Sequence, residues 1–130
     1  MPRLEDRALH YRHEEAKDRL TFENSTVAFE VTAGSVTLAK GPGFLRLREG
    51  EHAPVAYIPS EYVDMARLVK SVTKTICPFK GEASYFSLKG EDGKILVEDI
   101  AWSYETPIEE AKALEGHLAF YPDKAALTEI

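Results

Sequence analysis

The sequence predicts a mainly β protein, a single small domain of antiparallel hairpins with one or two short helices. Three observations carry this prediction. Apolar and polar residues alternate with period two through much of the chain, glycine- and proline-rich breaks recur between the alternating runs, and helix-start signals are confined to two short stretches, at Ser60 and at Thr106.

Residues 1–19 are very polar, and Leu4, Ala8 and Tyr11 sit at helical spacing, so a loose arm and a short helix both fit. His10 and His13 are three apart, but no third ligand accompanies them, and no metal site is assigned. From Leu20 the period becomes two. Val27, Phe29 and Val31 share one face, Ala33-Gly34 offers a turn, and Val36 and Leu38 continue beyond it, which predicts a hairpin over 26–40. Gly41-Pro42-Gly43 ends it. Leu45 and Leu47 alternate with Arg46 and Arg48 up to Glu49, a third short strand. Val55-Ala56-Tyr57-Ile58 is an apolar run closed by Pro59, and Ser60 is a good N-cap for a turn of helix through Asp64.

Residues 66–76 suit a helix by their four-residue apolar spacing, but the β-branched run Val72 to Ile76 favours extended chain in the second half. A polar turn follows, Cys77-Pro78-Phe79-Lys80-Gly81. The alternation of Ser84 to Lys89, the Gly90-Glu91-Asp92-Gly93 loop and the run Lys94 to Trp102 form the clearest hairpin, with Asp99 stranded on an apolar face and in need of a partner. Thr106 to Glu109 combines a capping box with proline at the first helical position, predicting a helix from Pro107 to Leu114 stopped at Gly116. His117 to Tyr121 is a last strand, halted by Pro122. The tail beyond it, Asp123 to Ile130, reads as a short helix or as frayed chain.

Composition narrows function. At 130 residues the chain is about one domain, and 44% hydrophobic with 29% charged residues is the balance of a soluble protein. A net charge of −6 argues against a nucleic-acid partner, which needs clustered positive charge. No run approaches the ~20 apolar residues that span a bilayer, and the N-terminus lacks the apolar core of a signal peptide. The lone cysteine excludes an internal disulfide and fits a reducing compartment, so the expected location is cytoplasmic.

Three blocks carry a family resemblance: Cys77-Pro78-Phe79-Lys80-Gly81-Glu82-Ala83-Ser84-Tyr85, Ala101-Trp102-Ser103-Tyr104 and Gly116-His117-Leu118-Ala119-Phe120-Tyr121. In order and spacing they resemble the signature blocks of the family called domain of unknown function 427, and Ala56-Tyr57-Ile58-Pro59 is similar to its middle block; the resemblance extends over about 20–124, which it implies is a single domain with 125–130 a tail. The resemblance implies a β-tent fold like that of methionine sulfoxide reductase B-type domains, without their paired zinc cysteines. It brings no known activity. The family has carried a nucleotidyltransferase-type label, yet this chain has neither a glycine-rich phosphate loop entering a helix nor paired aspartates for two metal ions.

The candidate site centres on the Cys77–Tyr85 turn. Cys77 reads either as a thiolate activated by Lys80 or as a small buried hydrophobe, and Lys80 either as an anion holder or as the surface partner of Asp99 or Glu82. Both are the candidate catalytic residues. Glu49, Tyr57, Lys80, Gly81, Ser84, Tyr85, Trp102, Ser103 and Tyr104 are the candidate ligand-binding residues, while His117 and Asp99 are further acid or base candidates that no spacing forces together. The expected ligand is a small anionic metabolite with a flat apolar part, its charge at Lys80 and the turn amides and its flat part under Trp102 or Tyr104. No cofactor is expected. The alternative is a non-enzymatic module for protein interaction or structure, in which the same residues are packing.

Overall fold

A computed structural model describes residues 19–130. The arm or helix expected over 1–19, with His10 and His13, therefore lies outside the described residues except for Arg19. The described chain forms strands β1 (Leu20–Ser25), β2 (Phe29–Ala33), β3 (Val36–Gly41), β4 (Phe44–Glu49), β5 (Val55–Pro59), β6 (Leu68–Cys77), β7 (Gly81–Lys89), β8 (Ile95–Ser103), β9 (His117–Phe120) and β10 (Ala126–Glu129). They build a seven-stranded sheet in the order β1-β4-β5-β9-β8-β7-β6 and a three-stranded sheet in the order β10-β2-β3, with every pairing antiparallel. This is the mainly β single domain that the alternation predicts. No helix of the described residues is long and apolar enough to cross a membrane.

Strand periodicity divides the core. On one face of the large sheet Phe44, Ile58, Ala101 and Leu118 pack against Phe29, Val31 and Leu38 of the small sheet. Their neighbours in sequence point the other way, so Leu45, Leu47, Tyr57 and Ala119 form a second core covered by Tyr104, Ala111 and Leu114. Central strands buried on both faces explain why β5 and β9 read as nearly continuous apolar runs rather than clean alternations.

The hairpins expected over 26–40 and 84–102 form from β2 and β3 and from β7 and β8, the first turning at Gly34 with φ 61°. Three local expectations need correction. Ser60 is not a cap: the 3-10 turn Ser60–Tyr62 follows Pro59 with no side-chain cap bond, and the Ser60 amide instead donates to the Gly116 carbonyl at 2.9 Å. The Thr106 capping box does not close either. Helical turns begin only at Glu109 and run to Leu114 as 3-10 segments broken at Ala111, because Ile108 stays extended to donate its amide to the Lys80 carbonyl at 3.0 Å. That bond straps the 106–114 segment to the β6–β7 turn, and it overrides the local helix signal. The tail is neither helix nor frayed: β10 pairs with β2, and the Ile130 amide reaches the Ala28 carbonyl at 2.9 Å.

Asp99 has φ 47°, rare for a residue with a side chain. It sits where the β7–β8 register slips between Phe86 and Leu88, and its carboxylate accepts the Ser71 hydroxyl at 2.6 Å and the Thr73 hydroxyl at 2.8 Å. The partner that an aspartate on this strand requires is thus supplied from β6, across the intervening β7.

Candidate functional site

The β6–β7 hairpin turn, residues 77–81, brings the polar site together. The Lys80 amide donates to the Cys77 carbonyl at 3.3 Å, closing the turn, and Gly81 takes φ 117°. A β-carbon on Gly81 would lie 3.4 Å from the backbone of Thr106, Pro107 and Ile108. The close approach that glycine permits here is therefore by the chain's own 106–108 segment.

This strapping turns the Lys80 side chain inward. Its ammonium donates to Glu49 Oε1, with only 12% of the lysine and 15% of the glutamate side chain exposed. Glu49 reaches the same face as Leu45 and Leu47 because it continues their alternation on β4. Its other oxygen accepts Arg19 Nε at 3.2 Å. Two cations thus share one carboxylate. Burial disfavours the Glu49 charge, but Lys80 and Arg19 outweigh it and hold the carboxyl below the usual carboxylate range. The Lys80 ammonium also lies 5.7 Å from the Tyr104 ring centre, and the Arg19 guanidinium 4.6 Å from that of Phe79.

Behind the charges stands an aromatic wall. Tyr57 is fully buried, and its hydroxyl accepts Trp102 Nε1 at 3.2 Å. Tyr121 lies 4.5 Å from Trp102 between ring centres and stacks on Tyr85 at 6.5 Å, while Tyr85 and Thr75 share a hydrogen bond of 2.9 Å. Burial pushes the Tyr57 and Tyr104 phenols well above the usual range, and Tyr121, through burial and its bond with Tyr85, up to about 12. All three are neutral phenols at neutral pH. Tyr104, itself buried, feels Tyr57, Cys77, Tyr85 and Glu49 electrostatically, which places these groups around one centre.

Of the residues singled out in the sequence, Glu49, Tyr57, Cys77, Lys80, Tyr85, Trp102 and Tyr104 gather on this face of the large sheet. Ser84 and Ser103 do not. They face each other across β7 and β8 with the opposite parity to Tyr85 and Trp102, and the Ser103 hydroxyl donates to the His117 carbonyl at 2.7 Å. Asp99 is engaged with Ser71 and Thr73, and His117 lines a separate groove with Asn24, Ser25 and Thr26. Lys80 pairs with neither Asp99 nor Glu82; Glu82 takes Lys74 instead. Cys77 is half-buried against the second core, and the ammonium expected to activate it is bonded to Glu49.

Tyr121, an aromatic candidate for the cleft in the sequence, stacks with Tyr85 and Trp102 here, whereas Arg19 and Phe79 join the site without having been singled out. Arg19 is placed by the sheet: β1 pairs with β4 so that Leu20 faces Glu49, and the preceding residue then lies at the carboxylate. Such pairing across 29 intervening positions is invisible to local periodicity.

Among models of protein families, the one described as "Domain of unknown function (DUF427)" matches residues 21–129. No curated protein matches the chain.

Proposed function

We propose, from the premise that the chain belongs to the family described as a domain of unknown function (DUF427), that it is a small-molecule-binding domain. Its ligand is a small anion with a flat apolar part, bound at the turn that carries Lys80. One observation carries this reading: Lys80 and Arg19, both cations, are gathered on the single carboxylate of Glu49, so that among the described residues two positive charges share one negative charge in a largely buried cluster. An incoming carboxylate or phosphate would be shared by the same two donors, with the flat part lying toward Tyr104 and the Trp102–Tyr121–Tyr85 column. The buried phenols contribute hydrogen bonds without charge, since burial keeps them protonated. Its single free thiol suits a cytoplasmic setting.

The test is a thermal-shift panel of aromatic carboxylates and phosphates, repeated with Lys80→Ala. A charge-assisted contact is worth about 1.5–3 kcal/mol, so the variant should bind a hit roughly ten- to a hundredfold more weakly. Stabilisation by neutral aromatics alone, or equal affinity of the variant, would overturn the reading.

A further inference from the structure

A recess lies on the far side of Trp102 from the charged cluster's other aromatic rings, and its origin is legible in the backbone. Strands β5 and β9 pair only at Ile58–Leu118 and Pro59–His117, near one end. Toward the other end the two strands part, and each is bounded there by a proline, Pro54 before β5 and Pro122 after β9, whose nitrogens offer no hydrogen to a ladder. The gap is a slot of about 180 Å³. Val55 and Trp102 line it from one face of the large sheet, Ala56 and Phe120 from the other, and Val31 and Leu127 of the small sheet roof it. A recess reached from both faces at once is what a local separation of two strands produces.

We infer that this slot is a binding site for a single uncharged apolar ring, distinct from the anion site at Lys80. Among the described residues, every side chain lining it is apolar except for the indole nitrogen of Trp102, and that nitrogen already donates to Tyr57. The slot therefore offers shape and dispersion but no free side-chain charge or hydrogen-bonding group, which excludes carboxylates and phosphates and admits hydrocarbon. Its volume matches that scale, since an apolar cavity of about 150 Å³ stays dry and takes up benzene. The flanking rings of Phe120 and Trp102 and the two prolines give flat walls, the shape a planar ring fills best.

Toluene and benzoate separate the two sites, because they carry the same ring with and without a charge. In methyl-resolved spectra of the full chain, toluene should shift the methyl signals of Val31, Ile58 and Leu127 in a saturable way, and benzoate should leave them unmoved. Ala56→Leu fills the slot from β5 and Leu127→Phe from the exposed strand β10, and each should weaken toluene binding at least about tenfold. Lys80→Ala should not change it. Toluene shifts scattered over the protein or absent, unchanged affinity in a folded slot-filling variant, or benzoate moving the same methyls would each overturn the inference. Should Ala56→Leu fail to fold, Leu127→Phe decides alone, because its side chain is 39% exposed before substitution and the added ring has room to settle.

Discussion

Replacing Glu49 by glutamine probes the charged cluster directly. The substitution keeps the size of the side chain and removes the charge that Lys80 and Arg19 share. Breaking a fully buried pair costs about 3–5 kcal/mol because the partner charge is stranded, whereas an exposed pair contributes under about 1 kcal/mol. With 12% and 15% of the two side chains exposed, the pair lies close to the buried limit, and Arg19 is relieved by its greater exposure. The expected loss is about 2–4 kcal/mol, or a fall of about 8–16 °C in the midpoint of thermal unfolding followed by circular dichroism. Adding Lys80→Met to Glu49→Gln removes the stranded ammonium and should recover at least half of that loss. The pH arm has a definite sign. The folded-state carboxyl titrates below its unfolded value, so its stabilisation is complete above about pH 4.3 and is lost as pH falls through the folded value. The stability curve of Glu49→Gln should therefore be flatter than that of the parent below that pH. An unchanged midpoint at neutral pH, or a double variant that loses the sum of both single losses, would refute the account of a mutually dependent buried pair.

Asp99→Ala should destabilise by about 2–4 kcal/mol in denaturant titration, through loss of the Ser71 and Thr73 bonds and a left-handed backbone, with Asp99→Gly milder by about 1 kcal/mol because glycine adopts positive φ freely. Tyr57, Tyr104 and Tyr121 are held protonated by burial, so their contribution to stability is intact below about pH 10 and declines as pH rises above it, between about 10 and 12 for Tyr121; in ultraviolet titration the part of the tyrosinate signal that Tyr57→Phe and Tyr104→Phe remove should appear with loss of structure rather than before it. Because the Lys80 ammonium is bonded to Glu49, Lys80→Ala should change the alkylation rate of Cys77 in the folded protein by less than about twofold, measured by mass spectrometry; a marked slowing would restore the activated thiolate.

What the sequence made legible follows the range of the interactions. Period two located β2, β3, β4, β7 and β8, since alternation is a local property of each strand. It failed at β10, where only Leu127 of Ala126–Glu129 is a large apolar residue and all four residues are exposed, leaving no pattern to read. The helix expected from Thr106 had sound local signals, and a single tertiary bond from Ile108 to Lys80 displaced them. The site divided in the same way. Cys77, Lys80 and Tyr85 could be placed on one face because turn chemistry is local, and Ser84 and Ser103 were grouped with them although strand parity turns them to the opposite face. Glu49 was selected without its reason. Its pairing with Lys80 depends on β4 and the 77–81 turn meeting on one sheet face, which no spacing in the sequence encodes.

The most direct test of the proposed anion site is a benzoate titration followed by backbone amide shifts, because benzoate joins a carboxylate to a flat ring in a small ligand. The account predicts saturable shifts at Cys77, Phe79, Lys80, Glu49 and Tyr104, weakened roughly ten- to a hundredfold in Lys80→Ala. Saturable shifts confined to other parts of the fold, or no saturable shift at the Lys80 turn while Lys80→Ala behaves as the parent, would contradict it.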